Sequence, residues 1–386
     1  MSDPQTMPLA GIRILDLTSV IMGPVCTQIL AGYGAEVIKV EPPEGDIMRH
    51  AGAKQEPGMG AMFLHSNRGK RSIVVDLKAQ QGQATIRELL QGADVFVHNI
   101  RPAAIERIGL DQASVRALCP NIIYAELTGY GMTGPYAGRP AFDDVIQAES
   151  GLASLFSLQS GGAPAYLPAL IADRLTGVTA AHRILAALMH RQRTGEGGYL
   201  NVAMFETMAE FVLSDHFGQR SFDLARGDIG YSRLLTPYRR PYKTVDGYIA
   251  AIVYNDKHWK SFFDVIGDPE TFAGDRRFQT AAARADSYDH IYRVVEEVLA
   301  KETTAHWLQT LAAAEIPCAP VNSVEHLLND EHLRSTGFFQ KHERDGRVEW
   351  AASAQPGIRA AMSPRKGEHT EDYVKASRSR GLAPTH

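Results

Sequence analysis

The stretch PALIADRLTGVTAAHRILAALM places a single carboxylate, Asp173, between an apolar run and a helix. Apolar side chains at 175, 178, 181, 185 and 188 recur at helical spacing, so the helix begins beside the acid. An acid there can serve two ends. It can cap the helix, because Asp is a favoured N-cap residue. It can also do chemistry, because a helix N-terminus favours an ionised carboxylate and an ionised carboxylate can act as a nucleophile. The apolar PALIA ahead of it limits water. Gly177 and Ala180 lie in the first turns. Glycine costs a helix about 1 kcal/mol relative to alanine, so small residues here predict close packing against another element. The residues alone leave both uses of Asp173 open.

A second set of groups gathers near strand ends. Arg68, Lys70 and Arg71 stand in NRGKRS, Lys78 in VVDLK, Asn99 and Arg101 in HNIRP, and Arg107 in ERIG. Singly each reads as a solvated surface charge. Together they could hold a polyphosphate by charge-assisted hydrogen bonds. Glu41 closes a strand where a dinucleotide fold carries its ribose acid. The turn after the first strand, DLTSVIMGP, lacks GxGxxG, so NAD binding is not expected. None of the fourteen histidines has a metal-ligand spacing, and no metal centre is expected. His182 and His190, on the helix after Asp173, read as structural or surface residues. No GxSxG elbow is present, which argues against a serine hydrolase.

The elements that must position these groups alternate. GIRILDL (11–17), EVIKVE (36–41), RSIVVDL (71–77), ADVFVHN (93–99) and NIIYAEL (121–127) read as strands, with helical periods between them. This alternation predicts a mainly parallel, doubly wound α/β sheet with its site in the loops at the strands' carboxyl ends. A helical part is expected from about 142 to 218, broken by QSGGAPAYLP. Residues 231–259 read as two strands across a Val-Asp-Gly turn, and helices follow near 255–266, 288–301 and 303–314. That block is α+β. PCAPVNS (317–323) reads as a linker, Arg344-Asp345-Gly346 as a hairpin turn, and the tail from 364 as extended.

Bulk composition narrows the class. The chain has 386 residues, 44% of them apolar, and a net charge of -4. It is long enough for two domains. No basic stripe suggests nucleic acid, and no run of eighteen apolar residues suggests a membrane span. Cys26, Cys119 and Cys318 are far apart and read as reduced thiols, with the cytoplasm as the expected compartment.

The pieces in this order resemble the family III CoA-transferases, also called the CaiB/BaiF family. The resembling runs are GIRILDLTSVIMGPVCTQILAGYGAEVIKVEPPEGD, FLHSNRGKRSIVVDLK, ADVFVHNIRPAAIERIGL, FDDVIQAESGL, IADRLTGVTAAHRILAALMHRQRTGEGGYLNVAMFE and YKTVDGYIAAIVYNDKHW. The resemblance covers essentially residues 8 to 360. The resemblance implies a Rossmann-like CoA-binding domain over 1–215, completed by 336–386, and a small α+β domain over 230–330. It also implies an interlocked, ring-like homodimer, with linkers near 215–230 and 317–335. Asp173 in DRLTG matches the family's nucleophile. The implied activity moves CoA between an acyl-CoA and a small free carboxylic acid, through an aspartyl anhydride and an aspartyl-CoA thioester. CoA enters as substrate, and no permanently bound cofactor is implied.

The CoA site would map to Val20, Ile21, Met22, Val75, Lys78, Asn99, Arg101 and Arg107, with Asp143 near the thioester end. Asp173 is expected to stay ionised, with backbone N–H groups beside it. There are departures from the family pattern. Pro42 stands where some members carry arginine, and no GGGG shielding run exists, GYSRLLTPYRRPY occupying that region. The racemases of the same fold pair a histidine with a later aspartate, but Phe142 stands in the histidine's place. A 2-methylacyl-CoA racemase and a catalytically silent CoA-binding protein remain the alternatives. Arg233, Arg239 and Arg240 are candidates for a second carboxylate of a dicarboxylic acid, with Tyr238 and Tyr242 beside them.

Overall fold

The computed structural model describes residues 7–353 and 361–374. The chain divides into two compact units. The first holds the residues up to Ser150, Tyr166–Glu210, and those from Arg334 onward. Its centre is a sheet of β1 (Arg13–Leu17), β2 (Glu36–Glu41), β3 (Arg71–Val74), β4 (Val95–His98), β5 (Ile123–Thr128) and β6 (Gly198–Ala203). All neighbours are parallel, in the order β3-β2-β1-β4-β5-β6. The order reverses between β1 and β4. Helices from the two halves then leave the sheet in opposite directions and open a crevice at the strands' carboxyl ends. β4 is buried along its whole length, as expected where helices cover both faces.

The five strands read from apolar runs are present. β6 lies inside the stretch expected to be helical. The helix Ile171–Thr194 stops at Gly195, which turns left-handed at φ 76°. A Cβ on Gly197 would fall 2.4 Å from the Ile122 carbonyl oxygen, so only glycine lets the chain enter beside β5. YLNVA then pairs from Ile123↔Gly198 to Thr128↔Ala203. A short apolar run between two helices has no period of its own to announce a strand.

The hairpin falls where expected. β10 (Phe339–Arg344 in the chain) and β11 (Arg347–Ala352) are joined by Asp345 and Gly346, both at positive φ, and lie in this first unit. The tail is not simply extended. Gly367 donates to Ser72 Oγ (2.9 Å), His369 N–H to the Ser72 carbonyl (2.9 Å), and Val74 N–H to Thr370 Oγ1 (3.0 Å). Residues 370–374 form a helical turn, and Tyr373 reaches Glu36 at 2.5 Å. The tail thereby covers the exposed edge of β3. Residues 375–386 of the expected tail lie outside the described residues.

The second unit holds Gly151–Ala165 and Phe211–Leu333. Its sheet is β7 (Tyr242–Lys243), β8 (Tyr248–Ala251) and β9 (Cys318–Pro320), antiparallel in that order. The helices Asp256–Val265, Tyr288–Leu299 and Thr304–Ala313 stand where periodicity puts them. They close on Trp259, Phe262, Phe263, Phe278, Leu299 and Leu311. Two expectations fail here. Residues 232–235 form a helical turn rather than a strand, with Pro237 and Pro241 removing ladder donors after it. The supposed linker at 317–323 contains β9, where Cys318 pairs with Ala251. Among the described residues no helix is long and apolar enough to cross a membrane.

Candidate active site

The crevice at the carboxyl ends of β1 and β4 is built on buried charge. Asp16, at the end of β1, accepts the Thr18 N–H (2.8 Å), the Thr18 hydroxyl (2.6 Å), the Thr27 hydroxyl (2.6 Å) and Lys70 Nζ (3.2 Å). Burial would raise its pKa, but Lys70, Lys39 and the two hydroxyls outweigh that and hold it low. Lys39, fully buried, donates to the Thr18 carbonyl (2.8 Å) and to Asp46 (2.9 Å). Asp46 in turn accepts the Val20 N–H (3.3 Å). Asn99, from the loop after β4, brackets Ser19, accepting its N–H (3.0 Å) and donating to its carbonyl (2.9 Å). Three successive residues are thus pinned. The pinning sustains Val20 at φ 72°, a strained conformation for a β-branched residue. Past Val20 the chain enters the helix Met22–Gly32, with the Met22 N–H aimed at Asp173.

Asp173 is not the helix cap. The helix starts at Ile171, Leu170 holds the cap position, and Asp173 sits in the first turn. Its own N–H donates to Asp143 Oδ1 at 2.9 Å, so an acid thirty residues away serves that end of the helix. Asp143 Oδ2 accepts Gln147 Nε2 (2.6 Å), and Gln147 Oε1 accepts the Leu167 N–H (2.9 Å). Asp143 and Gln147 therefore hold the PALIA segment, and the Asp173 side chain is left to the cavity. Asp173 is 9% exposed. Burial, then the nearby Asp143 charge, push its pKa up to about 6, against the Met22 N–H and Arg174, which lower it. A value near 6 still leaves the acid mostly ionised at neutral pH. At pH 7 about nine-tenths of it is charged, and protonation begins well above the usual carboxylate range. The acid limb of kcat/KM should accordingly bend near pH 6, activity falling below it, and an inflection near 4 would refute this.

Gly177 explains itself here. A Cβ on it would lie 2.6 Å from the Met22 carbonyl and 3.0 Å from Val25. The two helices touch through this point, and Ala180 beside it is fully buried. Gly177→Val should part them, cost about 1–3 kcal/mol by overpacking, and lower kcat more than it raises KM. Thermal melts and steady-state kinetics check this together.

A cavity of about 210 Å³ opens over Asp173. Of the ten residues expected at the site it brings together five: Val20, Met22, Asn99, Arg101 and Asp173. Ile21 is buried beneath the loop rather than facing the cavity. Val75, Lys78 and Arg107 lie outside its lining. Val75 is buried just past β3, while Lys78 and Arg107 are exposed. Asp143 stands behind Asp173 rather than in the cavity. The wider cationic cluster divides. Arg68, Lys70 and Arg71 sit at the amino end of β3, away from the carboxyl-end loops. Lys70 is sequestered by Asp16, Asn67 and the Pro24 carbonyl, and burial lowers its pKa to about 8. Glu41 is engaged as well, held by Arg49 through two bonds of 2.6 and 2.7 Å just before Pro42.

Sequence reasoning missed Gln147, Asp46 and Lys39. A lysine inside the apolar run EVIKVE was the available signal, since a charge in a buried parallel strand must have a partner. It also missed Tyr130 and Arg139 in the cavity wall. Arg139 lies over the Tyr130 and Tyr136 rings at 5.1 and 4.5 Å and pairs with Glu149 at 3.0 Å.

The fold and site define an open, Rossmann-type α/β protein whose crevice presents a buried carboxylate in place of a glycine fingerprint. The model of CoA-transferase family III matches residues 9–370, and the chain belongs to that family. It is an acyl-CoA:carboxylate CoA-transferase. It is 32% identical over 385 residues to the succinate–glutarate CoA-transferase of Agrobacterium fabrum, covering 94% of each chain. It is 34% identical to the acetyl-CoA:oxalate CoA-transferase of Acetobacter aceti, over 83% of this chain and 82% of that one. Among solved structures, an aspartate-to-alanine mutant of a Mycobacterium tuberculosis protein superimposes with a TM-score of 0.82 at 30% identity. That match covers 95% of this chain and 98% of the other. A CaiB/BaiF family protein from Brucella suis gives 0.76 at 30% identity, over 96% and 99%.

Proposed function

We propose that this enzyme transfers CoA by covalent catalysis on Asp173. An Asp173 oxygen attacks the thioester carbonyl of the donor, the carbon–sulfur bond breaks, and CoA leaves as thiolate from an aspartyl anhydride. The thiolate attacks the aspartyl carbonyl, releases the donor acid, and leaves an aspartyl-CoA thioester. The acceptor carboxylate attacks that thioester, forming a new anhydride and freeing the thiolate. The thiolate then takes the acceptor's acyl group and Asp173 is regenerated. Each intermediate keeps the energy of the first thioester, so exchange needs no other input.

The observation that carries this reading is a buried carboxylate whose helix is served by another acid, leaving its oxygens facing a cavity. The Met22 N–H beside it is a donor for the developing oxyanions. A pKa near 6 makes it a stronger base than an exposed aspartate while most of it stays charged at neutral pH. Val20, Met22, Asn99 and Arg101 would take the thioester end of CoA, and Lys78 and Arg107 its phosphates. The acceptor is a small carboxylic acid, as in the names of the relatives. The working form is taken to be a homodimer in the cytoplasm, which light scattering and fractionation check.

The test is trapping. Acyl-CoAs, succinyl-CoA and acetyl-CoA included, are mixed with enzyme and quenched with hydroxylamine or borohydride, and the peptides are mapped by mass spectrometry. A mark on Asp173 is expected with the true donor. No mark with any donor, together with exchange of an α-proton in deuterated water, would favour the racemase instead. The exposed Phe142, at 68%, is no substitute for that reaction's histidine.

A further inference from the structure

The second unit contains a cavity of about 470 Å³ that the reaction above does not use. Arg233 enters it from the helical turn Ser232–Leu235. Its Nε donates to the Tyr292 hydroxyl at 2.8 Å, and its guanidinium lies 5.0 Å from the Tyr254 ring centroid. Tyr288 stacks on Tyr292 at 5.8 Å. The buried Trp259 and Ile291 complete an apolar lining.

The charges around this cavity cancel with one exception. Asp256 is paired with Arg284, and Lys257 with Glu315. Of the arginines nearby in sequence, Arg240 is tied to Glu296 at 2.8 Å. Among the described residues, Arg233 is the cavity cation with no carboxylate at ion-pair distance. Among the described residues only its Nε is hydrogen-bonded, so the two Nη groups of this half-buried guanidinium remain to meet a ligand. Its planar fork matches a carboxylate, which it can bind through two parallel hydrogen bonds. A phosphate dianion would call for more cationic donors than this wall offers. A volume of this size with aromatic sides suits a small organic body.

We propose that this cavity binds an organic carboxylate with an apolar body, aryl or short alkyl, its carboxylate on Arg233 and its body against Tyr254 and Tyr288. The site is made of second-unit side chains alone and does not depend on Asp173.

Titration calorimetry on the full-length protein tests it, with phenylacetate as probe. Arg233→Met should weaken phenylacetate at least tenfold, and Asp173→Asn should leave its affinity unchanged. Phenylacetamide, of the same shape without the charge, should bind at least tenfold more weakly than phenylacetate, and inorganic phosphate should not displace it. Tyr254→Leu keeps the arginine and should weaken phenylacetate several-fold while sparing acetate. If Arg233→Met fails to fold, Arg233→Lys keeps the charge without the fork and should still weaken binding. Equal affinity in the Arg233 variants, equal binding of the amide, loss of binding in Asp173→Asn, or no binding of phenylacetate at millimolar concentration would each overturn the proposal.

Discussion

Asp173→Asn should lower kcat by about 10⁴-fold or more, the scale on which removal of a covalent nucleophile acts, and should at the same time make the protein more stable. The second effect follows from the raised pKa. Burial and Asp143 lift the folded-state value from 3.8 to about 6. Folding therefore favours the protonated acid. The benefit is complete below pH 4, fades between 4 and 6, and is gone above 6, where the buried charge weighs against the native state. The rise corresponds to about 3 kcal/mol at most. An uncharged amide of the same shape avoids that penalty. The melting temperature should rise by several degrees at pH 7, by about half as much at pH 5, and by little below pH 4, where the carboxyl is protonated in both the native and the unfolded chain. Such opposition of activity and stability is expected where a site holds a group in an unfavourable place. The variant should still bind acyl-CoA and give no trapped adduct. Retained turnover would remove Asp173 from the mechanism. Lower stability at pH 7 would mean that the carboxylate is a structural partner.

Arg49→Met should unfold the first unit far more readily, by about 3–5 kcal/mol, because it strands Glu41. Glu41 is 1% exposed and meets Arg49 through two oxygens. Burial alone would raise its pKa, but the Arg49 bonds and charge, with Lys39, hold it below the ordinary range. Its other contacts, the Ser72 hydroxyl at 2.5 Å and the Asp46 N–H at 2.9 Å, cannot replace a cation. The loss should be worst at pH 7 and smaller near pH 5, where the orphaned acid can protonate. Glu41→Gln added to Arg49→Met should restore much of it, as a double-mutant cycle in urea would show. A single variant within 1 kcal/mol of the parent would mean that the pair contributes little. Damage here should also reach the site, since Asp46, which accepts from Val20, hangs its own N–H on Glu41.

Much of the architecture was legible because periodicity is local. Apolar runs announced β1 to β5, and helical spacing placed the helix after Asp173 and three helices of the second unit. The acid itself stood out because a lone carboxylate broke an apolar run. Asn99 and Arg101 were legible from their place just past a strand, where parallel sheets carry their sites. β6 and β9 were not, since a strand of three to six residues without alternation looks like its surroundings until a neighbour pairs with it. Arg233 and Arg240 looked alike in sequence, and only their partners, the Tyr292 hydroxyl and the Glu296 carboxylate, separate them.

The sequence by itself determined β1 to β5 and the longer helices, and that one carboxylate would sit at a helix start with little water. The tertiary structure decided what that carboxylate is free to do. Asp143 serves the helix end in its place, Asn99 reaches Ser19 across eighty residues, Lys70, a candidate phosphate ligand in sequence, is consumed by Asp16, and Glu41 is consumed by Arg49. The reason is physical. Backbone conformation follows from near neighbours. Burial, charge pairing and a shifted pKa depend on which distant side chains the strand order brings within a few ångströms.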